Sequence, residues 1–580
     1  MKKKAFNKSG KLILGINGWM ENGHDASACL VEVDSNRCEV LGALEEEKIT
    51  KQKCSYNVLP TQSIHYLLEY YSLSPADIDY IAFGWNYPHM YEVNNTEFPF
   101  NNNQEILKAL FQGATIDKEI EIVYIGHHLA HAASSFRTSQ FNTCLTFVFD
   151  GQGEQESSSV WVAENGELEK ISYSGIKESL GYLYEAVNEV LGFKNHESGK
   201  TMGLASYGKP IFINDFKQAL ILEEDKLLLN DKLERIYQVV SRFTEKNTNE
   251  QANVITMWKH FIKEELGIED NHKNVNSFYE IEDIYKNLAA SVQNLLEEYV
   301  VQIVNYYINK TKINKICMSG GVALNCIMNG RILEEQNVEE IYINPAANDA
   351  GVSLGAALEL AYKLGYPSHL NKPFFDPFIG IEYSNEEIIE ELKSNELKYQ
   401  ITENAQEVIA NLISNEKVVA LFQGRNEWGP RALGNRSIIS SPRDKDRLDY
   451  INTSIKHRET GRPLGPSMLQ EDASKLLVNE TKFLGKYMNI AYNSQAIKSE
   501  FPAIIHVDHT FRPEFVDPDF NVIYYKQLKT IKEITGSSIV INTSFNLKTP
   551  IIFHIQDAID YFVNSKLDAL IFNNQIVLTK

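Results

Sequence analysis

Cysteine is scarce in this chain: Cys29, Cys38, Cys54, Cys144, Cys317 and Cys326 are all it has in 580 residues. None forms a C-x-x-C pair, which excludes a zinc ribbon or finger as the organising element. Their scatter fits a reducing compartment, so the cytoplasm is the expected location. Long apolar runs are missing as well, and none reaches the length of a bilayer span. After the opening MKKK, the first apolar run, residues 12–16, is too short for a signal-peptide core. Cations are outnumbered: 56 Lys and Arg against 77 Asp and Glu leave a formal charge of -21. That balance opposes non-specific attraction to nucleic acid or an anionic membrane, so neither is an expected partner. What remains is 43% hydrophobic and 23% charged, the composition of a globular protein with a sizeable core. At roughly 100–200 residues per domain, the chain holds more than one.

Against the acidic background, one window concentrates positive charge. Residues 423–467 contain Arg425, Arg431, Arg436, Arg443, Lys445, Arg447, Lys456, Arg458 and Arg462 among glycines and prolines. Arginine forks match phosphate oxygens two at a time, and lysine adds a point charge. The window therefore reads as a pocket for a compact anion, with a solvated basic loop as the bland alternative.

Residues 12–17 (LILGIN) read as a buried strand running into a polar turn, and residues 28–33 as the returning strand. Residues 144–149 (CLTFVF), the polar stretch 150–159 and the strand 160–163 repeat that pattern. Residues 316–325 (ICMSGGVALN) read as a strand entering a turn at Gly320 and Gly321, whose backbone N–H groups suit an anion. Two such hairpins and this turn resemble the actin, hexokinase and heat-shock-chaperone ATPase fold. Ile284, Leu288, Val292, Leu296 and Val300 give residues 282–307 a helical face. Residues 215–276, rich in Lys, Glu and Asn, read as a helical insertion. Three prolines in residues 364–387 mark a crossing, and strands at 418–422 and 538–541 alternate with helical patterns beyond it. The expected fold is α/β in two parts.

Several constellations carry chemistry. His127 and His131 stand four apart, so on a helix they share a face and can hold one metal, with His128 pointing elsewhere. Two imidazoles need further ligands, and Asp150, at a strand end, and Asp349, in NPAANDAG, are the candidates. Such a set suits Fe(II), Mn(II) or Zn(II); structural histidines are the alternative. In the first polar turn, His24 and Asp25 offer a general base and an orienting acid, or an Asx-type turn. Residues 199–208 (GKTMGLASYG) place Lys200 and Gly203 in a Gly-punctuated turn able to meet a phosphate, though without the glycine spacing of a Walker A loop. HVDHTFR, ending in Arg512, and NTSFN, beginning at Asn542, follow apolar strand-like runs, where open α/β sheets place ligand groups.

In order, GHDASACLV, EEEKITKQK, HHLAHAASSF, FDGQGE, SLGYLYEAV, GKTMGLASYG, SGGVALN, INPAANDAG, GPRALGNRSI, NTSIKHRE, RPLGPS, HVDHTFR and NTSFN run through nearly the whole chain. This series resembles the O-carbamoyltransferases of the nodulation and antibiotic-tailoring type. The resemblance implies a duplicated actin/heat-shock-chaperone-type ATPase domain over residues 1–365, like the tRNA threonylcarbamoyl-transfer protein. It implies a linker at 366–387 and a YrdC-like α/β domain over 388–580. It also implies ATP, with Mg(II), and carbamoyl phosphate as co-substrates. A carbamoyl-adenylate would form in the C-terminal domain, and its carbamoyl group would pass to a small-molecule hydroxyl acceptor in the N-terminal one. On the matching motifs, His127, His131, Asp150 and Asp349 would hold a divalent metal, often iron. His24, Asp25, Arg431 and Lys456 would serve catalysis. Lys200, Gly203, Gly320, Gly321, Asn325, Arg462, Arg512 and Asn542 would bind co-substrates. Large members often pair, so a homodimer is an expected assembly. The chain departs from the pattern at His509 and Pro513, and NTSFNLKTP lacks a glycine and an acid before its proline.

Three other readings compete. A hydrogenase-maturation carbamoyltransferase needs zinc-binding cysteine pairs and an acylphosphatase domain, and the sequence shows neither. Threonylcarbamoylation of tRNA is opposed by the acidic charge. A nucleotide-binding regulator of the ATPase fold is opposed by the arginine window.

Overall fold

A computed structural model describes residues 8–114, 116–243, 250–370, 374–477, 483–494 and 500–580. The MKKK start, residues 244–249 of the insertion and residues 371–373 of the crossing lie outside the described residues.

The first sheet is built from β1 (Lys11–Asn17), β2 (Ser27–Val33), β3 (Cys38–Glu45), β4 (Tyr80–Phe83) and β5 (Glu121–Tyr124), in the order β3-β2-β1-β4-β5. Its first three strands form an antiparallel meander; β4 then joins β1, and β5 joins β4, both in parallel. The second sheet begins with β6 (Thr143–Phe149), β7 (Glu156–Glu164) and β8 (Glu167–Gly175). After a separate hairpin, β9 (Leu220–Glu223) and β10 (Lys226–Leu229), it is completed by β11 (Lys315–Ser319) and β12 (Glu340–Ile343). Its order, β12-β11-β6-β7-β8, and its pairing directions repeat those of the first sheet. Central strands such as β1 are buried on both faces, which is why they read as unbroken apolar runs rather than alternating ones.

The helix Ala350–Lys363 holds the two sheets together. It crosses β1 so closely that a Cβ on Gly15 would sit 1.9 Å from the Ser353 carbonyl oxygen. It meets the helix His127–Phe136 with equal intimacy: a Cβ on Gly355 would sit 1.8 Å from the Ala130 carbonyl oxygen. Both contacts require glycine because only a missing side chain lets backbones approach this far.

The third sheet has eight strands: β13 (Gln400–Ile401), β14 (Val419–Phe422), β15 (Arg436–Ser440), β16 (Gly465–Leu469), β19 (Glu514–Val516), β20 (Val540–Ser544), β21 (Ala569–Phe572) and β22 (Ile576–Thr579). The short pair β17 (Tyr492–Asn493) and β18 (Thr510–Phe511) stands apart. The third sheet is mixed, ordered β13-β22-β21-β14-β15-β20-β16-β19, so the chain as a whole is α/β. One apolar cluster joins Leu145 and Leu288 to Leu464 and Phe515, so the second and third sheets share a core.

The structure departs from the sequence reading in three places. Residues 215–276 are not purely helical: the helices Asp231–Phe243 and Glu250–Leu266 follow the β9–β10 hairpin. The long helix runs Asp283–Thr311; Leu288, Val292, Leu296 and Val300 are buried, but Ile284 in its first turn is 38% exposed, ahead of the core. The helix Asn385–Ser394 starts within the crossing, at a capping box formed by Ser384 and Glu387. Among the described residues, no helix is long and apolar enough to cross a membrane.

Candidate metal centre and anion pocket

The helix His127–Phe136 puts His127 and His131 one turn apart on one face. Asp150 follows the end of β6, and Asp349 immediately precedes the helix Ala350–Lys363 that Gly355 presses against the histidine helix. All four side chains are buried. The two imidazole Nε2 atoms are 3.1 Å apart; His127 Nε2 lies 3.2 Å from Asp150 Oδ2, and His131 Nε2 lies 3.3 Å from Asp349 Oδ1. The remaining imidazole–carboxylate separations are 3.6 Å. Neighbouring ligand atoms around one ion with bonds of ~2.0–2.2 Å lie about 3.0–3.5 Å apart, so this donor set fits a divalent cation.

The surroundings fix the ligands. His127 Nδ1 faces the Gly84 carbonyl at 3.3 Å and His131 Nδ1 faces Ser319 Oγ at 3.1 Å, which leaves both Nε2 atoms for the ion. The Gly321 N–H donates to Asp150 Oδ1 at 2.8 Å, which aims Oδ2 at the centre. Trp85 stacks on the His127 ring at 3.7 Å. Burial alone would lower the His127 imidazole, but Asp349 and Asp150 outweigh it and raise it to about 10. Burial likewise pushes both carboxyls up, yet the imidazoles beside them hold both below the usual carboxylate range.

His24 borders this centre, with Nε2 3.7 Å from Asp349 Oδ2 and Nδ1 3.4 Å from Asp25 Oδ2. Burial lowers its imidazole, but Asp349 and Asp25 carry it to about 9. His196, whose ring centre is 4.8 Å from that of His24, is depressed to about 4 by burial and by His24. Nothing in the sequence marks His196. It reaches the rim from a left-handed turn (φ 59°) that only the folded chain reveals.

The second site lies in the C-terminal half. Arg512 and Arg462 act on both Arg431 and Arg458, and burial with these two neighbours pushes Arg431 down to about 9. A guanidinium keeps its proton in a protein, so the push registers uncompensated positive charge. Arg431 Nε and Arg512 Nε are buried without a partner. A pocket of this kind takes an oxyanion with several oxygens.

Residues 90–358 match the carbamoyltransferase N-terminus family model, and residues 410–579 match the carbamoyltransferase C-terminus model. Nodulation protein NolNO of Sinorhizobium fredii is 31% identical over 572 residues, covering 96% of this chain and 79% of that protein. The chain belongs to the carbamoyltransferase family.

This carbamoyltransferase is also 36% identical over 482 residues to an uncharacterized protein of Methanocaldococcus jannaschii, covering 78% of this chain and 73% of that one. The 3'-hydroxymethylcephem-O-carbamoyltransferase of Streptomyces clavuligerus is 28% identical over 229 residues, 40% of this chain and 42% of that one. These relatives establish the nodulation and antibiotic-tailoring type. Among solved structures, HypF in its phosphate- and nucleotide-bound form aligns over 63% of this chain and 57% of that one. Its TM-score of 0.31 at 13% identity carries no argument.

In the carbamoyltransferase, the basic window divides. Only Arg431, Arg458 and Arg462 join the anion pocket, with Arg512 arriving from elsewhere. Arg425 instead donates to the carbonyls of Leu41, Ile379 and Gly380 and clips the first sheet to the crossing. Arg436 lies over Phe422 at 3.7 Å and donates to the Gln423 carbonyl. Arg443 and Arg447 make ion pairs with Glu500 and Glu416, and Lys445 is exposed. Lys456 is wholly engaged, donating to the carbonyls of Ser544 and Asn546 and to the Asn546 side chain.

Three further expectations need correction. The Gly-Gly turn does not leave both amides free, since the Gly321 N–H holds Asp150. Asn325 is likewise spent, because it caps the helix Cys326–Leu333 and exchanges hydrogen bonds with Gln293. The GKT stretch is not a turn but the helix Ser198–Ala205. Gly203 lies where an added Cβ would touch Pro463 and Phe278 at 3.3 Å. Lys200 pairs with Glu459 at 3.0 Å, and Glu459 lies 3.5 Å from Arg462. The Lys200 helix thus links the rim of the metal centre to the arginine pocket.

Proposed function

We propose that the enzyme transfers a carbamoyl group from carbamoyl phosphate, through a carbamoyl-adenylate made with ATP, to a hydroxyl of a small natural product or sugar. The observation that carries this reading is the half-buried, undercompensated guanidinium cluster linked through Lys200 and Glu459 to the neighbourhood of the two-histidine, two-aspartate centre. The repeated sheet topology supports an ATPase-type N-terminal domain over 1–365. The mixed third sheet is the basis for assigning 388–580 a YrdC-like role, with 366–387 as the linker.

Arg431, Arg462 and Arg512 neutralise the phosphates of carbamoyl phosphate and ATP, with Mg(II) accompanying ATP. Lys456 and Asn542 shape the pocket wall at β20. Water releases phosphate from carbamoyl phosphate and leaves carbamate. A carbamate oxygen attacks the α-phosphorus of ATP and pyrophosphate departs. At the N-terminal site the acceptor oxygen attacks the carbamoyl carbon, and AMP leaves with the bridging oxygen. His24, oriented by Asp25, takes the acceptor proton in its neutral form. That form is a minority near neutral pH because, against burial, Asp349 and Asp25 raise the imidazole to about 9, so transfer should accelerate as pH rises toward 9. A divalent ion held by His127, His131, Asp150 and Asp349, with Fe(II) the leading choice, would supply Lewis acidity beside the adenylate phosphate.

The test is pyrophosphate release from ATP and carbamoyl phosphate without acceptor. Carbamoyl-phosphate-dependent release that falls ~100–1,000-fold in Arg431→Ala supports the reading. No release in the presence of Fe(II) and Mg(II) refutes acceptor-independent adenylation and favours a nucleotide-binding regulator.

A further inference from the structure

The two histidines and the two aspartates reach the candidate centre from different sheets. His127 and His131 stand on the helix that follows β5 of the first sheet, whereas Asp150 and Asp349 come after β6 and β12 of the second. A centre that straddles a seam needs its width fixed on both sides. At Asp349 the close-packed helix Ala350–Lys363 does this. At Asp150, the half-buried Glu154 stands four residues on, in the turn between β6 and β7.

The Glu154 carboxylate accepts the His127 N–H on both oxygens at 3.0 Å and the Asn86 N–H on Oε1 at 2.9 Å. His127 is the first residue of its helix, and Gly126 before it has no side chain with which to cap. The free N–H groups at a helix start attract a carboxylate, and this one comes from across the seam. Asn86 lies in the loop after β4, which wraps His127: the Gly84 carbonyl faces Nδ1 and the Trp85 ring covers the imidazole. The same loop meets the Asp349 helix, since a Cβ on Gly84 would sit 2.0 Å from Val352 Cγ1. The turn that carries Glu154 is seated in its own right. A Cβ on Gly151 would lie 2.8 Å from Tyr182 Cε1, and one on Gly153 2.6 Å from His128 Cδ2. His128, held by Ser159 Oγ at 2.8 Å, is thus a floor for the turn rather than a ligand.

Building on the proposed metal reading, we infer that Glu154 is a positioning residue that latches the two repeated sheets across the centre and sets the spacing of His127 from Asp150. One turn grips His127 at both ends: Asp150 Oδ2 lies 3.2 Å from Nε2, and Glu154 holds the backbone N–H. Ring and backbone therefore keep station with the carboxylate that would share the ion. With the latch cut, the helix start and the Trp85 loop drift from Asp150, and the spacing is lost while all four ligands remain.

The experiment titrates metal-free wild type, Glu154→Ala, Glu154→Gln and Gly153→Ala with Co(II), followed by its visible absorption, and melts each metal-free protein. Glu154→Ala should weaken Co(II) binding ~10–100-fold, the usual cost of losing a group that orients a metal ligand. Glu154→Gln should restore most of the affinity, because Oε1 alone receives both N–H groups and an amide keeps that oxygen. Gly153→Ala lifts the turn without touching Glu154 and should weaken binding in the same range. A lower melting temperature at wild-type Co(II) affinity in Glu154→Ala would make the residue merely structural and overturn the inference. If Glu154→Ala does not fold, Gly153→Ala decides: weakened binding supports the latch, and wild-type affinity overturns it. Wild type that binds no Co(II) refutes the metal reading itself, and the latch with it, so the two failures are told apart.

Discussion

Gly355→Ala is the smallest change that should dismantle the metal centre without touching a ligand. The new Cβ would start 1.8 Å from the Ala130 carbonyl oxygen, whereas real Cβ atoms essentially never come within 3.0 Å of such a neighbour. The helices carrying Asp349 and His131 must therefore separate by about 1.2 Å. If that shift reaches the site in full, the 3.3 Å gap between His131 Nε2 and Asp349 Oδ1 opens to about 4.5 Å. One ion with bonds of ~2.1 Å spans at most about 4.2 Å, so it cannot keep both ligands. Overpacking of this kind costs about 1–3 kcal/mol, which leaves room for a folded protein. The assay is titration of the metal-free protein with Fe(II) or Co(II), alongside thermal melting. We expect a cooperative melt at lower temperature and metal affinity reduced ~100-fold or more. Wild-type affinity in the variant would refute the idea that this helix contact sets the ligand geometry.

Other outcomes follow from the same geometry. His24→Asn should still release pyrophosphate but slow carbamoyl transfer ~100–10,000-fold, and full-rate transfer would remove His24 as the base. Removing the ion with an iron-selective chelator, Mg(II) kept in excess, should abolish transfer while sparing pyrophosphate release; loss of both together would place the ion in the adenylation step. Burial raises Glu514 from 4.5 to about 8 in the fold, so it binds a proton there that the unfolded chain has shed. Its contribution is complete below pH 4.5 and declines as pH rises to about 8, by at most ~1.4 kcal/mol per pH unit. Melting curves of Glu514→Gln across that window should lack this component, and identical pH slopes in both proteins would count against it.

The features legible in the sequence are local ones. The spacing of His127 and His131 is a helix period, and the apolar run in β1 is a doubly buried strand; both follow from near neighbours. The basic window shows the limit. Arg425 and Arg431 use the same donors, one on carbonyls and the other toward the anion pocket, and charge density along a chain does not separate these fates. The GKT stretch misleads for a related reason, since Gly199 and Gly203 disfavour a helix that packing nevertheless enforces. Glu514 and Asn542 are 28 residues apart and meet only across strands. His196 reaches His24 across the fold, and no pattern records either encounter.

The four-ligand centre also has a direction in time. His127 and His131 leave the ribosome first, Asp150 follows soon after, and Asp349 arrives some two hundred residues later, once β11 and β12 have been made. A nascent chain halted before that helix holds only three of the ligands. Under the proposed metal reading, capture of an ion by the full set would report that both repeated sheets have been synthesised and docked, and the ion would be a seal on the finished N-terminal half as well as a reagent.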